Sequence, residues 1–152
     1  MTINIEESLK KAEIECDHLG VRLTDKRCNV LKILLQAGEP LSAYNVIDQY
    51  KQCFNAALSA MSAYRMLDFL LQAGLVHKLE TTNQYIACSH IACEHTHEIP
   101  QFLICDSCHV VKEVGVRKEL LLELNESIKN TGFALHRQQL ELHGFCETCR
   151  ER

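Results

Sequence analysis

The sequence has no apolar run long enough to cross a membrane and no excess of positive charge. Its 152 residues are 47% hydrophobic and 24% charged, with a formal net charge of −4. This balance is too apolar for a disordered chain and is typical of a soluble protein with one ordinary domain or two small ones. The N-terminal stretch MTINIEESLKKAEIE is charged throughout and shows no secretory signal. We therefore expect a cytoplasmic protein.

A strongly basic face is also missing, although the charges are unevenly placed. Residues 1–83 carry nine Lys/Arg against ten Asp/Glu, a net of −1, whereas residues 84–152 carry seven against ten, a net of −3. Four basic residues of the first part surround the single acid Asp25: Arg22, Lys26, Arg27 and Lys32. Such a patch can meet DNA phosphates, but background affinity for nucleic acid should be low. This suits a protein that needs a second signal before it binds.

Cysteine and histidine, in contrast, are abundant. The chain has nine cysteines and eight histidines. An odd number of cysteines in a reducing compartment indicates metal or thiol chemistry rather than a disulfide framework. The stretch HTHEIPQFLICDSCHVVKE, residues 95–113, is especially rich in metal-ligand side chains.

The first half of the chain predicts successive helices followed by a β-hairpin. Glycines and capping side chains separate the helices, and the candidate N-caps are Thr24, Ser42 and either Ser59 or Ser62. LVHKLE and QYIAC, joined by the turn TTN, predict two antiparallel strands. Helices followed by a two-stranded wing are typical of a winged helix-turn-helix, in which the helix that contains Arg65 would be the recognition helix. A generic small helical domain would give a similar pattern.

The second half predicts a small α/β domain. QFLICD and VVKEVG are expected to be strands, RKELLLELNESIKNTG an amphipathic helix that ends at Gly132, and residues 133–146 a strand. The predicted fold class is therefore α+β, with a winged helix-turn-helix domain first and the small α/β domain second. The predicted boundaries are residues 1–84 for the first domain, 85–98 for a ligand-rich linker and 99–152 for the second domain.

Two Cys-x-x-Cys pairs indicate a tetrahedral zinc site on Cys105, Cys108, Cys146 and Cys149. A tight turn at each pair places two thiolates about 2.3 Å from a shared ion. Four thiolates leave no position for water, so the site should stabilise the fold rather than catalyse. A thiol redox pair is the alternative. A zinc deaminase would need H-x-E followed by P-C-x-x-C; Pro100 does not adjoin a cysteine pair, and we expect no enzyme.

Five segments resemble the ferric uptake regulator (Fur) superfamily over nearly the whole chain. They are VRLTDKRCNVL at 21–31, SAYNVID at 42–48, AYRMLDFLLQAGLVHKLETTNQYIAC at 63–88, ICDSCHVVKE at 104–113 and HGFCETC at 143–149. The zinc uptake regulator branch, Zur, is the most similar, and the histidine-rich run expected of an iron regulator is absent. The resemblance implies a winged-helix DNA-binding domain, a hinge and a dimerisation domain.

The resemblance also implies two zinc ions per subunit. The structural zinc would be held by the four cysteines above, and the regulatory zinc by His77, Cys88, His97 and Glu113. A thiolate such as Cys88 shifts metal preference from iron toward zinc. His95 is a rival to His97, because the alignment of His97 requires one extra residue before Cys105. His90 and Cys93 are candidates for a further site.

For DNA, the resemblance matches Tyr64 and Arg65 to the family's recognition-helix Tyr-Arg, and Tyr44 to an earlier tyrosine. Arg65 suits the readout of a purine edge in the major groove. Candidate phosphate contacts are Arg22, Lys26 and Arg27. Relatives usually have Thr-Val where this chain has Ser62-Ala63, a difference that bears on base preference.

Together these features predict a homodimeric, zinc-responsive transcriptional repressor that binds palindromic operator DNA and controls zinc uptake genes. No membrane partner and no small-molecule substrate are expected. The alternatives are an iron, manganese or peroxide sensor of the same superfamily, a thiol redox protein that uses its Cys-x-x-Cys pairs, and a zinc-stabilised interaction module with no role on DNA.

Overall fold

The computed structural model describes residues 4–91 and 99–151. The chain divides into two compact units, a helical unit (Met1–Cys93) and a sheet unit (Glu94–Arg152). No helix within the described ranges is long and apolar enough to span a membrane.

Over residues 4–91, the helical unit contains four helices and a two-stranded sheet. Its elements are α1 (Ile5–His18), α2 (Asp25–Ala37), α3 (Ala43–Phe54), α4 (Ala60–Gln72), β1 (Val76–Leu79) and β2 (Gln84–Ala87). This order confirms the predicted winged helix-turn-helix.

Side-chain caps determine where three of these helices begin. Thr24 Oγ1 accepts a hydrogen bond from the backbone N–H of Arg27 at 3.4 Å, and Ser42 forms a capping box with Asn45. Ser59 caps α4, because its Oγ accepts from the backbone N–H of Ser62 at 3.2 Å. Such oxygens bind N–H groups that have no partner within the helix. The predicted caps at Thr24 and Ser42 are confirmed, and Ser59 rather than Ser62 caps α4.

The core of the helical unit follows from helical spacing. On α4, the fully buried side chains of Ala63, Leu67 and Leu70 recur at intervals of three and four residues, so they lie on one side of the helix. They pack with buried side chains of the other helices and the wing: Ala12, Cys16, Val30, Leu31, Leu34, Val46 and Val76. The opposite side of α4 is thereby left at the surface.

The wing is an antiparallel hairpin that also pairs with the helical part of the unit. The register runs from Val76 opposite Ala87 to Leu79 opposite Gln84. Leu41 exchanges two backbone hydrogen bonds with Tyr85, at 2.9 and 2.7 Å. This one-residue third strand was not predicted, because a single bridge has no alternating pattern in the sequence.

The sheet unit consists of β3 (Ile99–Cys105), β4 (Val111–Val116), α5 (Lys118–Lys129), β5 (Glu141–Gly144) and α6 (Glu147–Arg150). The strand order is β4-β3-β5, with β4 antiparallel and β5 parallel to β3. The parallel pairing places the C-terminal ends of β3 and β5 side by side, and each of these ends leads into one cysteine pair.

The predicted strand over residues 133–146 is wrong in its extent, since β5 covers residues 141–144 alone. The buried Gln101 side chain explains the difference. Its Nε2 donates to the carbonyl oxygen of Gln138 at 3.0 Å, and its Oε1 accepts from the backbone N–H of Leu140. One side chain therefore satisfies backbone groups that a longer strand would have paired with a neighbouring strand.

Candidate functional site

The sheet unit brings together the four cysteines of the two pairs, which we call the tetrathiolate cluster. The sulfurs of Cys105, Cys108, Cys146 and Cys149 all lie within 4.8 Å of one another, and those of Cys108 and Cys146 are 3.6 Å apart. Tetrahedral zinc with Zn–S bonds of about 2.3 Å requires sulfurs about 3.8 Å apart. The cluster thus fits one zinc ion with four thiolate ligands and no position for water.

A tight turn after β3 presents the first cysteine pair. The backbone N–H of His109 donates to the carbonyl oxygen of Cys105 at 2.9 Å, and the N–H of Cys105 donates to Val110 at 3.0 Å. His109, which is exposed, closes the turn with a φ of 62°. This left-handed conformation is one that residues other than glycine seldom adopt.

The second pair lies at the start of α6, which was not predicted from the sequence. The backbone N–H groups of Cys149 and Arg150 both donate to the carbonyl oxygen of Cys146, at 3.0 and 2.8 Å. The N–H of Asp106 donates to the carbonyl oxygen of Gly144 at 2.9 Å, and so continues the β3–β5 pairing into the turns. The sheet therefore fixes the distance between the two pairs.

A side-chain hydrogen bond also joins β5 to the turn of the first cysteine pair. His143 Nδ1 lies 2.8 Å from Asp106 Oδ1, and Asp106 stands between the two cysteines of the first pair. Neither residue was predicted to have a role. The available signals were that Asp106 directly follows Cys105 and that His143 lies three residues before Cys146.

The cysteines of the cluster differ in how readily they lose a proton. Backbone N–H groups of Cys108 and Cys146 hydrogen-bond to the Cys105 sulfur and lower its pKa to about 6. For Cys149, a hydrogen bond with Ser107 lowers the pKa, but hydrogen bonds with the other thiols and desolvation outweigh it and raise the pKa to about 11. At neutral pH, Cys105 is therefore a thiolate ready for a cation, whereas Cys149 must release a proton to bind one.

The wing carries a second group of donors, His77 and Cys88, which we call the wing pair. His77 lies in β1 opposite Ile86, and Cys88 directly follows β2. They are diagonal neighbours on the hairpin, and their ligand atoms lie within 4.8 Å of each other. Cys88 is buried, and its backbone N–H donates to the carbonyl oxygen of Leu75 at 2.9 Å. A tetrahedral ion would need two further ligands.

The remaining predicted metal ligands fall in other parts of the chain. Glu113 is half-buried on β4 of the sheet unit, opposite Phe102. His90 is half-buried in the turn that follows the wing. His97, its rival His95 and Cys93 lie outside the described residues.

The predicted DNA-contacting residues lie on the surface of the helical unit. Tyr44 is 65% exposed in the first turn of α3, and Tyr64 and Arg65 are exposed on α4. A surface cavity of about 240 Å³ separates the N-terminal ends of α2 and α4. Its lining includes three basic side chains: Lys26, Arg27 and Arg65.

Of these basic residues, Arg27 is held against its own unit. Its guanidinium carbon lies 3.8 Å from the centre of the Phe69 ring, and its Nη1 donates to the carbonyl oxygen of Arg22 at 2.8 Å. Lys26 and Arg65 are exposed, as is Arg22, which lies outside the lining. The rim of the cavity therefore combines one fixed guanidinium, that of Arg27, with the exposed cationic side chains of Lys26 and Arg65.

Comparisons with known proteins agree with this arrangement. The profile of the ferric uptake regulator family matches residues 18–143. The zinc uptake regulation protein of Escherichia coli (strain K12) is 38% identical over 151 residues, which cover 96% of this chain and 83% of that protein. A solved zinc uptake regulator complexed with zinc and DNA is 35% identical, with a TM-score of 0.83 over 97% of this chain and 96% of that one.

A second solved structure, described as holo XcZur, is 37% identical with a TM-score of 0.79 over 95% of this chain and 97% of that one. These matches confirm the resemblance noted in the sequence, including its similarity to the zinc uptake regulators, and they confirm the α+β fold class. They also place the chain among regulators rather than enzymes. The chain belongs to the ferric uptake regulator family.

Proposed function

We propose that this chain is a zinc-responsive transcriptional repressor that binds palindromic operator DNA as a dimer when zinc is bound, and that it controls zinc uptake genes. The observation that carries the proposal is its similarity, over nearly its whole length, to a zinc uptake regulator complexed with zinc and DNA. It would act in the cytoplasm, in keeping with the absence of disulfide bonds among the described cysteines.

The proposed structural zinc binds the tetrathiolate cluster. Its support is the spacing of the four sulfurs and the small core of the sheet unit. Apart from the ligand Cys105, the buried apolar side chains among the unit's described residues are Phe102, Ile104 and Leu121. A unit with so small a core gains stability from a metal ion that its unfolded chain does not bind as tightly. The proposed role of this ion is therefore to stabilise the fold of the sheet unit.

The proposed regulatory zinc takes His77 and Cys88 from the wing, His97 from the segment that follows it, and Glu113 from β4. The proximity of the wing pair supports the first two ligands, and the family resemblance supports the other two. Two nitrogens, one sulfur and one oxygen form a ligand set that suits tetrahedral zinc. Occupancy would favour the conformation that binds DNA, and couplings of this kind are typically about 1–3 kcal/mol.

On DNA, Arg65 would donate two hydrogen bonds to a purine edge in the major groove, with Tyr64 and Tyr44 beside it. Lys26, with Arg22 and Arg27, would contact the phosphates that flank that groove. The support is the exposure of Tyr64 and Arg65 in the N-terminal half of α4, the part of a recognition helix that reads base edges, and the exposure of Tyr44, Arg22 and Lys26.

The sheet unit supports the proposed homodimer. It exposes apolar side chains on its strands and on α5: Leu103, Val114, Leu142, Leu120 and Leu122. Strand β5 is at the edge of the sheet, so its outer backbone groups are available to another strand. Exposed apolar area beside an edge strand is typical of a surface that associates.

The test is to select DNA duplexes from a randomised pool with the full-length protein in buffers of controlled free zinc, iron(II) or manganese(II). We expect palindromic duplexes to be enriched at low free zinc and not with the other two metals at their physiological levels. Enrichment that depends on iron or manganese would assign the chain to the alternative sensors. Enrichment that is the same with and without metal would overturn the proposal.

A further inference from the structure

Met61 is an exposed apolar side chain at the start of the helix proposed to read DNA. It is 66% exposed, whereas Leu67 and Leu70 of the same helix are fully buried. With two thirds of its surface exposed, this flexible apolar side chain has little packing within the helical unit. Its exposure therefore raises the question of what it contacts.

Four exposed residues of α4 form one stripe along the helix: Met61, Tyr64, Arg65 and Asp68. Their spacing of i, i+3, i+4 and i+7 places them on the same face. Asp68, at the C-terminal end of the stripe, would be repelled by phosphates. The N-terminal part, where Met61 lies one turn before Arg65, is therefore the part suited to enter a groove of DNA.

The neighbouring residues face elsewhere. Ala63 is fully buried in the core, and Ser62 Oγ lies 2.9 Å from the Oγ of the capping Ser59. Of the two residues that differ from the family pattern, Ala63 therefore packs in the core and Ser62 contacts the helix cap. Ala60 is also exposed in the first turn, but its side chain is a single methyl group, so Met61 is the long first-turn side chain on the same stripe as Arg65.

The major groove offers one apolar group at its floor, the C5-methyl of thymine. Four helical residues span about 6 Å along the axis, which is about two base-pair steps. On the basis of the proposed function, we propose that Met61 contacts the C5-methyl of a thymine about two base pairs from the purine that Arg65 reads. Met61 is then a determinant of operator sequence.

The experiment uses duplexes that the zinc-loaded wild-type protein has enriched from a randomised pool. Each thymine in turn is replaced by deoxyuridine, which removes the C5-methyl and keeps every hydrogen-bonding group. At one thymine per half-site the wild-type protein should bind the uracil duplex about fourfold more weakly, the effect of one buried methyl group. Met61→Ala should bind the two duplexes equally.

Two variants serve as controls. Met61→Leu keeps an apolar side chain and should retain the fourfold ratio. Ile14→Ala shortens an exposed apolar side chain on α1, away from the stripe, and should also retain it. Because Met61 is exposed, its truncation should leave the thermal unfolding temperature unchanged.

The proposal is overturned if Met61→Ala keeps the wild-type ratio at every thymine, or if no replacement of thymine weakens wild-type binding. Either result leaves the proposed repressor function standing, because duplexes have been enriched. If zinc produces no enrichment at all, the proposed function fails and the role of Met61 fails with it.

Discussion

The two groups of metal donors differ in where their members lie. The tetrathiolate cluster takes all four ligands from one unit, at the ends of two hydrogen-bonded strands and the turns that follow them. The wing pair supplies two ligands from a hairpin that is already anchored to a helical core. A complete group can stabilise the fold around its ion, whereas an incomplete group in a stable unit can be emptied without unfolding that unit. The same metal can therefore act structurally in one group and as a signal in the other.

The largest expected effect follows from Cys105→Ser. Loss of one thiolate leaves three ligands and removes most of a binding free energy that is about 10–16 kcal/mol for structural zinc sites. We expect the sheet unit to lose cooperative thermal unfolding and the protein to become monomeric, as measured by calorimetry and sedimentation. Cys53→Ser, at an exposed cysteine on α3, is the matched control and should behave as wild type.

Cys88→Ser should show that the wing pair and the tetrathiolate cluster have different roles. The helical unit keeps its core, so we expect a folded dimer that retains one zinc per subunit. Its zinc-dependent gain in operator affinity should fall by a factor of up to about 150, the upper end of common allosteric couplings. The measurement is operator affinity with and without zinc, together with metal stoichiometry. If Cys88→Ser behaves like Cys105→Ser, the division of roles is wrong.

Variants of His97 and His95 can show which of these two histidines is the third ligand of the regulatory zinc. His97→Ala should lose the regulatory zinc and therefore the zinc-dependent part of operator binding, as Cys88→Ser does. His95→Ala should keep both. The reverse result would make His95 the ligand, and loss in both variants would indicate that each histidine is needed. Zinc stoichiometry and operator affinity measured on the same samples distinguish these outcomes.

The pH dependence of zinc binding should reflect the different pKa values of the cysteines in the tetrathiolate cluster. Cys149, with its pKa raised to about 11, must release a proton at any pH below that value, so it contributes one unit to the slope of log affinity against pH. Cys105, with its pKa lowered to about 6, contributes a further unit only below pH 6. Affinity should therefore fall more steeply below pH 6 than above it. Competition with a chelator, in the Cys88→Ser background, measures this slope; a constant slope from pH 5 to pH 8 would contradict the assignment.

The smallest expected effect concerns the turn of the first cysteine pair. His109→Gly relieves a left-handed backbone conformation and should raise the free energy of unfolding of the sheet unit by about 1 kcal/mol, with zinc stoichiometry unchanged. Gly38→Ala, at a φ of 63° in the helical unit, should lower the free energy of unfolding by about the same amount. Chemical denaturation of both variants checks the opposite signs.

The features predicted correctly from the sequence depend on residues that are close in the chain. Thr24 and Ser42 cap their own helices, and the turn after β1 sets the register of the hairpin. Two of the features that were missed depend on distant partners. The pairing of Leu41 with Tyr85 needs the folded unit, and the shortening of β5 results from the Gln101 side chain on another strand. The regulatory ligand set came from the family resemblance and is still a prediction.

The measurement that tests the two roles most directly is a titration of the zinc-loaded dimer with chelators of increasing strength, with bound zinc, operator affinity and circular dichroism recorded on each sample. We predict that the first zinc leaves together with operator affinity while the far-ultraviolet spectrum stays unchanged. The second zinc should leave only as the sheet unit unfolds. Simultaneous loss of both ions, or unfolding with the first, would contradict the division between a structural and a regulatory site.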